Sequence, residues 1–169
     1  PEKLPFMATS CCPAWSMMAK KLFPEQADCI SMALTPMTLT ARLIKRHHKN
    51  AKVVFIGPCA AKKLEAMRTD IRSDVDFVLT FEEMDGIFDA KHVEIEKMEE
   101  DPDGVNDASM DGRNFAVSGG VAKSVVDVIH QRFPDREIKV ANAEGLKDCR
   151  KLLTMAKAGK YNGYLLEGM

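Results

Sequence analysis

The sequence has no surplus of either charge. Lys plus Arg number 24 and Asp plus Glu 25, for a net charge of −1. That balance excludes the broad positive field with which a protein holds nucleic acid or anionic lipid. No apolar run approaches the ~20 residues of a membrane span. No secretory signal is present; the chain opens Pro-Glu-Lys rather than with Met and reads as a piece of something longer. There is no internal repeat and no low-complexity segment. The Cys-x₂₋₄-Cys pairs from which most zinc sites are built are also missing. The five cysteines, Cys11, Cys12, Cys29, Cys59 and Cys149, are odd in number and irregularly spaced. That is a poor disulfide framework, and it fits a reducing, cytoplasmic compartment.

What is there is ordinary for a folded protein. The 169 residues are 46% hydrophobic and 29% charged, enough for one medium domain or two small lobes. Eleven methionines read as adaptable core filler. Short apolar runs alternate with amphipathic stretches. Strands are expected at "PFMAT", "CISMAL", "KVVFIG", "DFVLT", "NFAV", "EIKVANA" and "GYLLEG". Of these, "KVVFIG" has the composition of a buried strand. Helices are expected from Pro13, from Pro36, from Pro58, after Thr80, after the "SGG" turn and through "EGLKDCRKLLTMAKAG". Pro is tolerated at the first helical position, and Thr80 with Glu83 makes a capping box. Alternation of this kind predicts an α/β fold, with mainly parallel sheets flanked by helices. The acidic stretch before Arg113 divides the expectation: a first lobe over 1–100, a solvated linker over 101–113, and part of a second lobe over 114–169.

The cysteines carry the chemistry. Cys11 and Cys12 lie in the strand-to-helix turn "TSCCPAW", and Cys59 lies in a second such turn, "GPCAAKKLE". In α/β folds ligands gather at turns of this type. Adjacent residues point in different directions, so Cys11 and Cys12 are unlike ligands for one metal atom; a vicinal disulfide would be strained. At a helix start the Cys59 thiol would favour its thiolate, the soft ligand that iron–sulfur clusters and zinc select. Single ligands from separate turns suit a cluster held between loops, although a cubane takes four cysteines. Lys62 follows Cys59 at i+3 and Glu65 follows Lys62 at i+3, so the three share a helical face. On spacing alone, Lys62 and Glu65 read as a solvated pair.

"TSCCPAW" and "PCAAKKLE" resemble the first two signature motifs of the iron-only hydrogenases. "LLEGM" resembles the opening of the third, a Glu-x-Met-x-Cys-x-x-x-Cys loop, and "SGGV" from Ser118 is similar to a Thr-Gly-Gly-Val turn of the family. The resemblance implies two lobes facing a cleft, with a cofactor made of a 4Fe–4S cubane joined through a cysteine to a two-iron unit. It implies Cys12 and Cys59 as cubane ligands and Cys11 as the thiol that passes protons. Lys62 is implied as a donor to the cofactor, oriented by Glu65. Pro36 would lie in a cofactor-lining segment, and Met169 would pack on the two-iron unit. Ferredoxin or upstream iron–sulfur domains would supply electrons. Cys29 and Cys149 match no motif and read as buried structural thiols. The chain stops before the family's last two cysteines, so on its own it is expected to hold no active cofactor, with the turns at Cys11–Cys12 and Cys59 exposed or poorly ordered.

The sequence also departs from the catalytic pattern. Met37 stands where catalytic members carry Gln, and Gly57 where many carry Met. Both changes resemble divergent branches that report hydrogen or redox state to a signalling domain. Retention of Cys11 points back to catalysis. A third reading is a cluster-assembly protein of the hydrogenase-like class, which Cys11 beside Cys12, with Lys62, disfavours.

Overall fold

The computed structural model describes residues 4–101 and 108–169. The chain forms two compact units. The first combines 1–33 with 108–169, and the second is 34–107. This differs from the expected division at the acidic stretch. The reason lies in strand pairing: the first strand of the chain pairs with the last, which draws the N-terminal segment out of the 1–100 lobe. Part of the expected linker, 102–107, lies outside the described residues. Of the rest, Met110–Asn114, which crosses the expected linker end at 113, is helical rather than irregular, with Met110, Gly112 and Arg113 exposed.

In the first unit, strands β1 (Met7–Ala8), β4 (Lys139–Ala143) and β5 (Tyr164–Gly168) form a parallel sheet in the order β1-β5-β4. Tyr164–Gly168 sits in the centre, and its near-continuous apolar run fits a strand covered on both faces. One face carries Ala8 and Leu166 into a cluster with Trp15, Ala19, Leu152, Leu153 and Ala156. Those partners lie on α1 (Pro13–Leu22) and α7 (Gly145–Lys157). The other face meets α6 (Gly120–Arg132), where Ala122 is fully buried. Pro13 opens α1 as expected, and Lys20 and Lys21 stand in its last turn, where their charge complements the negative end of the helix dipole. The turn before α6 places Gly119 at φ +81°, a conformation that favours glycine. A short helix, α5 (Met110–Asn114), precedes it.

In the second unit, β2 (Val54–Gly57) and β3 (Phe77–Thr80) pair in parallel, with Phe55 opposite Val78. Helix α2 (Pro36–His47) brings Met37 and Ala41 onto the face that carries Phe55 and Val78. Helices α3 (Ala61–Ala66) and α4 (Phe81–Ala90) follow the two strands. Thr80 and Glu83 form the expected capping box, both bonds being present. Arg42 holds Asp74 through Nε and Nη2 at 3.2 and 2.7 Å, and Lys45 reaches Asp76 at 2.7 Å.

The α/β class and the parallel pairing are those the alternation predicts. Three expected elements differ. "CISMAL" contributes only an isolated bridge from Ile30 to Ala8, because Pro24–Cys29 takes a 3₁₀ turn and leaves little chain for a strand. "NFAV" is no strand: a Ser109 cap starts α5 and carries the chain helically through Asn114. "KVVFIG" is a strand but not a buried one: Phe55 packs against Met37 and Ala41 of α2, while Val54 and Ile56, on the opposite face of the strand, stay exposed.

Candidate functional site

The turn that carries Cys11 and Cys12 is fixed by backbone bonds on both sides. Thr9 N donates to Leu166 O at 2.9 Å, continuing the β1–β5 ladder, and Ser31 N donates to Ala8 O at 2.8 Å. Trp15 is 1% exposed and donates its Nε1–H to Thr9 O at 2.9 Å. Cys12 caps α1 in an extended conformation, and its carbonyl accepts from Ser16 N at 3.0 Å. Cys11 and Cys12 are half-buried rather than exposed, and Cys12 packs against the buried cluster that includes Trp15. Met169, at the end of β5, is partly exposed; its N–H donates to Ala143 O, and its carbonyl accepts from Gly145 N at 2.7 Å. Gly168 is the close approach of this region: a Cβ there would lie 2.2 Å from the Trp15 ring. The strand end that carries Met169 therefore rests on the tryptophan of the cysteine turn.

Cys29 and Cys149 are buried, as expected of structural thiols. Burial pushes both thiols above their usual pKa. The Cys149 thiol faces the carbonyls of Ala143 and Met169 at 3.5 and 3.8 Å. None of the five cysteines is in a disulfide.

In the second unit Cys59 is half-buried and follows β2 after Pro58. The expected helix start at Pro58 is corrected: α3 begins at Ala61, and the Cys59 carbonyl accepts from Lys62 N at 3.2 Å. The reading of Lys62 and Glu65 as a solvated pair is also overturned. Lys62 Nζ donates to Glu65 Oε2 at 2.8 Å, with side chains only 13% and 3% exposed. The other oxygen, Oε1, accepts from the hydroxyls of Thr35 and Thr38, the latter at 3.1 Å. Thr35 also caps α2, accepting from Thr38 N at 3.4 Å. Glu65 thus meets the start of α2, where Pro36 holds the first helical position and is itself exposed. The Lys62 ammonium stands 5.9 Å from the centre of the Phe55 ring. That ring covers Gly57, where a Cβ would lie 2.6 Å from a ring carbon, so Phe55 fills the space a larger residue would need. Met37, the other departure, is buried against the sheet.

The structure therefore groups the candidates by unit. Cys11, Cys12 and Met169 belong to the first, and Pro36, Cys59, Lys62 and Glu65 to the second. Sequence reasoning missed Thr35 and Thr38 as partners of Glu65. The Thr-Pro-x-Thr pattern signals a helix cap, but nothing local to it shows a carboxylate thirty residues away. The residue types fit an iron–sulfur group: half-buried thiols in strand-to-helix turns, and an ammonium steadied by a buried carboxylate. Among the described residues, no three His, Cys, Asp or Glu side chains stand together as a metal site. No helix among them is long and apolar enough to cross a membrane.

An α/β chain with parallel strands and thiols at the turns after them is the class that fold and site define. Residues 2–169 match the family model described as iron only hydrogenase large subunit, C-terminal domain, and the chain belongs to that family. It is 26% identical to the periplasmic Fe hydrogenase large subunit of Nitratidesulfovibrio vulgaris, over 95% of this chain and 48% of that protein. It is 29% identical to iron hydrogenase 1 of Clostridium pasteurianum, over 96% of this chain and 31% of that protein. A cytosolic Fe-S cluster assembly factor NAR1 homolog from Schizosaccharomyces japonicus is 30% identical over 60% of this chain and 22% of its own length. The chain thus spans half or less of the length of these relatives. In fold it is similar to the apo FeFe-hydrogenase of Chlamydomonas reinhardtii, with a TM-score of 0.74, 23% identity, and coverage of 99% of this chain and 59% of that one.

Proposed function

We propose that this chain supplies part of a hydrogenase catalytic domain that interconverts protons, electrons and dihydrogen. Family membership over 2–169 is the observation that carries this reading, and the resemblance of "TSCCPAW" and "PCAAKKLE" to the family motifs supports the choice of Cys11, Cys12, Cys59 and Lys62. Cys12 and Cys59 would hold a 4Fe–4S cubane as thiolates. A two-iron unit joined to that cubane supplies the electron chemistry at which dihydrogen is made or split. Cys11 passes the proton, since a thiol beside the cofactor can both give and take one. Lys62, aimed by Glu65, donates a charge-assisted hydrogen bond to an anionic group of the cofactor. Pro36 and Met169 pack against it. Electrons come from a ferredoxin or from iron–sulfur domains of the longer protein, in a reducing, cytoplasmic setting.

A second reading, a hydrogen or redox sensor coupled to a signalling domain, is favoured by Met37. It is buried in the unit core and cannot donate the hydrogen bond that Gln would. Identity to an assembly factor over 60% of the chain keeps cluster assembly as a third reading. Cys11→Ala in the longer protein separates them. Hydrogen turnover falls at least tenfold if Cys11 relays protons, and unchanged turnover removes that role. The 169-residue chain by itself offers Cys12 and Cys59 where a cubane takes four cysteines. After anaerobic reconstitution it is expected to fall well short of four irons and four sulfides per chain.

A further inference from the structure

Thr9 Oγ1 and Glu167 Oε1 are both buried, and neither has a hydrogen-bond partner among the described residues. Both belong to the signature stretches, yet the functional reading gives neither a task. Strand register makes them neighbours. Met7 pairs with Leu165 and Ala8 with Leu166, and Thr9 N extends the ladder by donating to Leu166 O. One step further along, Thr9 stands beside Glu167. Adjacent parallel strands lie ~4.8 Å apart, and side chains at paired positions project from the same face.

That face is the one closed by α6. Ala122 N, in the first turn of α6, donates to Glu167 Oε2 at 2.6 Å. The helix terminus therefore satisfies one carboxylate oxygen and leaves the other buried without a donor. Thr9 is 6% exposed and Glu167 is 1% exposed, so bulk water does not reach them. A buried polar group left unpaired is costly, and more so when charged. No direct hydrogen bond joins the hydroxyl to the carboxylate. A buried hydroxyl and a buried carboxylate oxygen on the same face of neighbouring strands, both lacking a partner among the described residues, provide the two polar partners that an internal water needs.

We propose that Thr9 and Glu167 hold one internal water beneath the N-terminus of α6. The water donates to Glu167 Oε1 and exchanges a hydrogen bond with the Thr9 hydroxyl. Thr9 lies two residues before Cys11, and Glu167 two before Met169. The bridge is thus a positioning device that ties the cysteine turn to the end of the central strand, whatever chemistry occurs beyond them.

A crystal structure of the unmodified chain, at a resolution that shows ordered water, tests this directly. One full-occupancy water within about 3.2 Å of both oxygens is the expected result. A direct Thr9–Glu167 hydrogen bond, or a dry gap, overturns the proposal. A double-mutant cycle with Thr9→Val and Glu167→Gln gives a second reading. The bridge predicts a coupling of roughly three- to tenfold in the folding equilibrium, with Thr9→Ser close to the unmodified chain. Strict additivity of the two substitutions, or a Thr9→Ser variant as impaired as Thr9→Val, overturns it.

Discussion

Glu65 gives the sharpest test of how the second unit is built. Its carboxylate is 97% shielded and gathers three donors: the Lys62 ammonium at 2.8 Å, the Thr38 hydroxyl at 3.1 Å, and the Thr35 hydroxyl. Glu65→Leu keeps the bulk but withdraws the acceptor from all three. Taking one member from a buried ion pair costs ~3–5 kcal/mol, chiefly because the remaining polar groups stay desolvated. Lys62→Met should cost less, ~2–3 kcal/mol, because two hydroxyls continue to serve the carboxylate and Lys62 is the more exposed partner. The double variant replaces the pair with apolar side chains of similar size, a change that is often far milder than either break alone. We expect its cost to fall below the sum of the singles by ~1.5–3 kcal/mol. Urea unfolding followed by circular dichroism reads all four proteins. With a slope of ~2 kcal/mol per molar, Glu65→Leu should move the midpoint down by ~1.5–2.5 M. Additivity within ~0.5 kcal/mol would show that Lys62 and Glu65 do not work as a unit. The claim that Glu65 aims Lys62 would then have no basis.

Two glycines make opposite predictions. Gly168→Ala drives a methyl into the Trp15 ring and should destabilise by ~1–3 kcal/mol, whereas Gly86→Ala, on α4 with nothing within 4 Å, should stabilise by ~0.5–1 kcal/mol; thermal unfolding of both variants checks the pair. Asp76 is held well below the usual carboxylate pKa by the Lys45 ammonium first, with the Val53 N–H and Lys52 adding to it. A folded-state pKa below the unfolded one contributes stability that is fully present above the ordinary carboxylate range and is lost as pH falls from there through the depressed folded-state value. Asp76→Asn should therefore be less stable than the unmodified chain at pH 7, with the difference narrowing in parallel unfolding curves as the pH falls below the ordinary carboxylate range.

The elements that local chemistry determines were legible in the sequence. Pro13, Pro36 and the Thr80–Glu83 box each mark a helix start through a bond or a missing donor within four residues, and the structure begins α1, α2 and α4 there. The parallel strands were legible from alternation, and the family from "TSCCPAW" and "PCAAKKLE". What could not be read depends on distant partners. The strand "VFIG" has a buried composition, yet whether both faces are covered is decided by what packs on them: Phe55 meets α2, whereas Val54 and Ile56 stay exposed. Membership of the units turns on β1 pairing with β5 across almost the whole chain, a contact that no local pattern announces. The same reasoning applies to the site. An i, i+3 Lys–Glu pair on an exposed helix is worth a few tenths of a kcal/mol, so spacing alone favours a solvated pair. It becomes a buried anchor only because the cap of α2 turns two threonine hydroxyls toward Glu65. The motif supplied the lysine, but the fixed orientation of that lysine is a tertiary property, and it is the feature on which any contact between Lys62 and a cofactor anion depends.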